Sequence, residues 1–70
     1  MKIDAKAPEG NVYNIMGLVW NLLSAVGRKN DWPDVERRMK SGNYDNACDV
    51  AEEVTYGSIK VINRDKEARP

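Results

Sequence analysis

The sequence predicts a small α+β domain: three helices and a two-stranded antiparallel ribbon formed by the N- and C-terminal segments, in the order β-α-α-α-β. Three observations carry that expectation. A charge-free run of 18 residues, Gly10 to Gly27 (GNVYNIMGLVWNLLSAVG), has helical periodicity. Two later stretches repeat apolar positions at three–four spacing behind capping residues. The opening five residues and residues 58–63 alternate apolar and polar, the period of a half-buried strand.

At the start, Met1 to Ala5 reads Met, Lys, Ile, Asp, Ala, with Ile3 and Ala5 on the core side. Pro8 and Gly10 then break the strand. Asn11 suits the N-cap of the first helix, because its side-chain oxygen can accept from an orphan backbone N–H. Gly27 suits the C′ position, where a left-handed conformation is cheapest for glycine. At 100° per residue, Asn14, Gly17, Asn21, Ser24 and Arg28 gather into one polar strip. Val12, Ile15, Val19, Leu22 and Val26 make an apolar seam, flanked by Met16 and Leu23. Tyr13 and Trp20 border the strip on one side, and Leu18 and Ala25 on the other. The apolar arc then spans roughly two thirds of the helix, against the ~100° of an ordinary surface helix. Such a helix is expected at the centre, with the other elements wrapped round it.

The second helix begins near Asp31 or Asn30 as cap, with Pro33 in its first turn and Asp34 at the positive end of the dipole. Trp32, Val35 and Met39 share its inner face. Arg37, Arg38 and Lys40 occupy its last turns, where cations are favoured, and Ser41-Gly42-Asn43 stops it. A third helix runs from about Tyr44 to Tyr56, capped by Asn43 and stopped by Gly57. Tyr44, Ala47, Ala51 and Val54 form its inward seam, with Cys48 and Val50 beside it. In the last strand, Ile59 and Val61 fall on one face. Residues 1–63 are therefore expected to form one globular domain, and residues 64–70 (RDKEARP) a disordered charged tail.

Seventy residues lie near the lower limit for a domain without staples. One cysteine allows no internal disulfide, and the lack of histidine argues against a Cys/His zinc site. The lone thiol fits a reducing cytoplasm. Met1–Glu9 alternates charges and contains Pro8, unlike a secretory signal. The charge-free run is shorter than the ~20 apolar residues of a membrane span and contains three asparagines. No membrane association is expected.

Three stretches, GNVYNIMG, MKSGNYDNA and VTYGSIKVI, together resemble a family of small uncharacterised proteins found in phages and plasmids. Val12 and Tyr13 stand where that family tends to have Ala and Phe, which keeps the apolar character. The resemblance implies a mobile-element origin, a short strand at each end, and no assigned activity. No site residue carries over from it.

Chemistry-bearing residues are few. Asp45, Asp49, Glu52 and Glu53 share one side of the third helix, but no glycine-bearing Ca²⁺ loop accompanies them, and a solvated helix face is the expectation. Cys48 lacks a histidine base and has acidic neighbours, so a buried core thiol is expected. No catalytic residue, cofactor or metal is predicted, and the protein is expected not to be an enzyme. Arg28, Lys29, Arg37, Arg38 and Lys40 form a basic patch that could contact nucleic acid, the alternative function. Net charge is zero, 11 basic against 11 acidic residues, which disfavours a general polyanion binder. Tyr13, Gly17 and Trp20 are the interface candidates: two aromatics with a glycine between them that admits a close approach. The Leu18–Ala25 edge is the second choice. The expected function is protein–protein binding, as an inhibitor or adaptor directed at a host or phage protein, and the width of the apolar arc adds a homodimer.

Overall fold

The computed structural model describes residues 1–64. It contains β1 (Lys2–Asp4), α1 (Val12–Ala25), α2 (Trp32–Lys40), α3 (Tyr44–Val54) and β2 (Lys60–Ile62), with short 3-10 turns at Pro8–Gly10 and Lys29–Asp31. The expected β-α-α-α-β order is present. The two terminal strands pair, but in parallel, with Lys2 opposite Lys60, Ile3 opposite Val61 and Asp4 opposite Ile62. The antiparallel ribbon is therefore corrected. Alternation fixes which side chains face the core, and Ile3, Ile59 and Val61 are indeed buried. It says nothing about strand direction. The helices act as one long crossover, the connection parallel strands require.

A two-stranded sheet leaves outward backbone donors, and here carboxylates take them. Asp4 N–H donates to Glu9 Oε2 at 3.0 Å. Val61 N–H donates to Glu52 Oε2, also at 3.0 Å, and ties β2 to α3.

Local chemistry explains the helix ends. The Asn11 side chain accepts from Tyr13 N–H, and Asn43 from Asn46 N–H, so both expected caps are made. Asp31 precedes α2 but does not cap it through its side chain. Its carboxylate accepts from Arg28 Nε instead. At the end of α1, Arg28 N–H reaches Leu23 O and Gly27 N–H reaches Ser24 O, a Schellman motif with Gly27 at φ +76°. In α3 the same pair of bonds runs from Gly57 N–H to Glu52 O and from Tyr56 N–H to Glu53 O. The helix therefore ends at Val54, and Tyr56, not Gly57, takes the C′ position, at φ +52°.

The hub is α3 rather than α1. Its inward residues Ala47, Cys48 and Ala51 are small and buried, so α1 and α2 both approach it closely, and β2 packs on it too. On α1 the buried residues are Ile15, Met16, Val19 and Leu23, with Val12, Leu18 and Leu22 packed at the margin. Val26, placed on the seam by periodicity, is 61% exposed. It is the C-cap, with φ −100° and ψ 13°, so its side chain leaves the helical face.

Gly10 ends the first 3-10 turn and packs against the backbone at the end of β1. It is buried, and a Cβ there would stand 2.6 Å from the carbonyl oxygens of both Asp4 and Ala5. The Tyr44 hydroxyl donates to Gly10 O at 2.5 Å and fastens this turn to α3. Burial pushes the Tyr44 phenol up to about 12.

Candidate functional site

Tyr13, Gly17 and Trp20 lie on one flank of α1, four and three residues apart, and all three reach solvent. Tyr13 is 75% exposed, and a Cβ on Gly17 would meet nothing within 4 Å. Trp20 is divided: 39% exposed, it packs edge-on against Trp32 of α2, with ring centroids 5.8 Å apart. It serves the α1–α2 contact and also presents an edge to solvent. Below Tyr13, a shallow depression of about 310 Å³ runs past Met16, Met39 and Gly42.

Four of the five basic residues, all but Lys29, are matched by carboxylates among the described residues. Arg37 pairs with Asp34 one turn away. Arg38 Nη2 reaches Glu53 Oε1 at 2.8 Å, and Lys40 Nζ reaches Glu36 Oε2 at 3.1 Å. The Glu53 carboxylate holds the Arg38 guanidinium above its ordinary range. Arg28 donates from Nε to Asp31 and from Nη1 to Val54 O. Lys29 precedes Asp31 in the 3-10 turn. Exposed pairs of this kind add little to stability, because water screens them. Together they leave the patch interleaved with opposite charge, a poor arrangement for salt-dependent phosphate binding.

The acidic side of α3 is occupied by an arginine. Arg64, the first residue of the expected tail, is only 10% exposed at its side chain. Its Nη1 donates to Asp45 O, Asp45 Oδ1 and Asp49 Oδ1 at 3.1, 2.7 and 2.9 Å, and Nη2 lies 3.6 Å from Glu52 Oε2. Residues 65–70 of that tail lie outside the described residues. Among the described residues no cluster of three or more His, Cys, Asp or Glu side chains could hold a metal ion. Cys48 is fully buried, and burial pushes its thiol up, away from the thiolate that nucleophilic chemistry needs.

One site escaped the sequence reading. A groove of about 280 Å³ opens where the C-terminal ends of α1 and α3 lie side by side, lined by Leu22, Val26, Val54, Thr55, Tyr56 and Ser58 with Arg28 at its margin. Its floor is anchored by Thr55, whose hydroxyl donates to Ala51 O and accepts from Ile59 N–H. Tyr56 is 85% exposed, with the Arg28 guanidinium 5.2 Å from its ring centroid. The available signal was the pairing of an apolar residue with each helix stop, Val26-Gly27 and Tyr56-Gly57. Nothing local indicated that the two stops meet.

A tyrosine at φ +52° is costly, by about 1 kcal/mol for a bulky side chain. Tyr56→Gly removes that strain and loses an exposed cation–π contact of about 0.5 kcal/mol. The net expectation is a gain of roughly 0.5 kcal/mol, read as a melting temperature higher by a few degrees. A lower melting temperature would mean that the ring contributes more to folding than its exposure implies.

No protein-family model matches the chain, and searches of curated proteins and of solved structures return no match. No helix of the described residues is long and apolar enough to cross a membrane.

Proposed function

We propose that this protein is a non-enzymatic binding protein that acts on another protein, a host or phage protein in a mobile-element setting. The observation that supports this reading is the apolar surface left open at two places on the charge-free segment. Tyr13 and Trp20 are exposed on one flank of α1, and Val26 is exposed at its C-cap, where it lines a groove with Tyr56. Large aromatics at such positions are the commonest anchors of protein interfaces. The mobile-element setting rests on the resemblance of GNVYNIMG, MKSGNYDNA and VTYGSIKVI to small phage and plasmid proteins. A cytoplasmic location belongs to the same proposal and rests on the lone cysteine. Self-association would use the Tyr13–Gly17–Trp20 flank, and sedimentation equilibrium at tens of micromolar, with Trp20→Ala as the comparison, separates it from a different partner.

The test is photo-crosslinking in the producing cell, with a photoreactive amino acid at position 13, at position 56, or at position 49 on the acidic side of α3. A defined protein adduct at 13 or 56, absent at 49, is the expected result. Adducts at none of the three positions, or equally at all, would remove the reading.

A further inference from the structure

We propose that the groove between the C-terminal ends of α1 and α3 receives an acidic peptide segment of a partner protein, with one large apolar side chain between Val26 and Tyr56 and a neighbouring carboxylate on Arg28. The inference rests on the protein-binding reading and specifies the partner's chemistry.

Size points to a side chain rather than a free ligand. At about 280 Å³ the groove falls just below the roughly 300–1,000 Å³ typical of small-molecule sites, enough for one or two side chains. Its walls are chiefly aliphatic, from Leu22, Val26 and Val54, and the Tyr56 ring forms one lip.

Charge selects the segment. Among the described residues, Arg28 is the one charged residue lining the groove. Its Nε and Nη1 are engaged by Asp31 and Val54 O, while Nη2 has no hydrogen-bond partner among the described residues. A guanidinium with one open nitrogen beside an apolar cleft suits a carboxylate oxygen next to an apolar side chain. Two further cations neighbour the lining residues along the chain. Lys29 follows Arg28, and Lys60 Cε passes 3.7 Å from where a Cβ on Gly57, next to Tyr56, would stand. Among the described residues, Asp31 is the one carboxylate paired with any of these three cations.

Backbone strain adds a third, independent observation. Glycine would hold position 56 at lower cost, yet an 85% exposed tyrosine occupies it. Strained residues with little folding benefit concentrate where the side chain is used. Nucleic acid fits this groove poorly, because backbone phosphates call for several open cations and no aliphatic floor.

Random-peptide display against the full chain provides the probe. Enriched peptides are expected to carry Asp or Glu within a residue or two of Leu, Ile, Phe or Trp. A fluorescein-labelled winner should shift the amide resonances of Leu22, Val26, Tyr56 and Ser58. Its affinity by fluorescence anisotropy should fall about tenfold in Tyr56→Gly, an order typical of an interface anchor. Replacing the peptide's acids by their amides should weaken it several-fold on the unaltered protein, which keeps the charge assignment testable even if Arg28→Gln disturbs the helix end. Basic or purely apolar winners, or unchanged affinity in Tyr56→Gly, would overturn the proposal. Peptides that instead map to Tyr13, Gly17 and Trp20 would sink the groove and leave the protein-binding reading standing. No enrichment at all, together with no crosslinked adduct at position 13 or 56, would count against both.

Discussion

Replacing Gly10 with alanine is expected to destabilise the protein by about 2–3 kcal/mol, at the upper end of overpacking costs. The added Cβ would sit 2.6 Å from the backbone oxygens of Asp4 and Ala5, so no flexible side chain can give way. Either the turn after β1 moves or the start of α1 does. Both are held: Ala5 N–H donates to Ile62 O across the sheet, and Gly10 O accepts from the Tyr44 hydroxyl. In a domain of this size such a loss amounts to a drop of ten degrees or more in melting temperature. Thermal melts of Gly10→Ala and Gly17→Ala make the comparison internal. Gly17 has open space around its Cβ position and lies mid-helix, where alanine is favoured, so Gly17→Ala should gain stability. Equal behaviour of the two variants would contradict the packing of the first turn.

Removing Arg64 is the second large effect. Its guanidinium holds Asp45, Asp49 and the nearby Glu52 along one side of α3, and without it these carboxylates face one another. Breaking a fully buried pair costs about 3–5 kcal/mol. Here Asp49 is largely exposed and Glu52 partly so, and water relieves some of the repulsion. Arg64→Ala is therefore expected to lose about 2 kcal/mol, with the buried-pair figure as the upper bound. Adding Asp45→Asn to Arg64→Ala should recover part of the loss, and urea unfolding of the two single variants and the double variant reads this coupling. Strict additivity would mean that Arg64 does not act through Asp45. The effect also bears on truncation: cutting the chain before residue 64 should be destabilising, although residue 64 was expected to begin a disordered tail.

The local features of this fold were legible in the residues. The Asn11 and Asn43 caps and the Gly27 stop depend on bonds spanning a few residues, so composition and spacing suffice to find them. The inward positions Ile3, Ile59, Val61, Ala47, Ala51 and Val54 follow from periods of two and 3.6, which are properties of the chain itself. The Tyr13–Gly17–Trp20 flank emerged by the same route. Some local rules also failed, because a competing local contact or a helix end overrides them. Asp31, expected as the cap of α2 with Asn30 as the alternative, instead accepts from Arg28 Nε three residues earlier. Val26 continued a periodic seam that the helix does not continue.

Tertiary structure alone decided the rest. Strand direction depends on where the three-helix crossover returns the chain, and side-chain alternation is identical for either direction. Arg64 reads as part of a charged terminus until α3 brings Asp45 and Asp49 to it from 19 and 15 residues away. The groove arises because two helices stop side by side, with Arg28 donating across 26 residues to Val54 O. Periodicity and capping are short-range and act within one element. Direction, ion partners and concavity are contacts between elements, and those exist only once the core of α3 has drawn α1, α2 and β2 together.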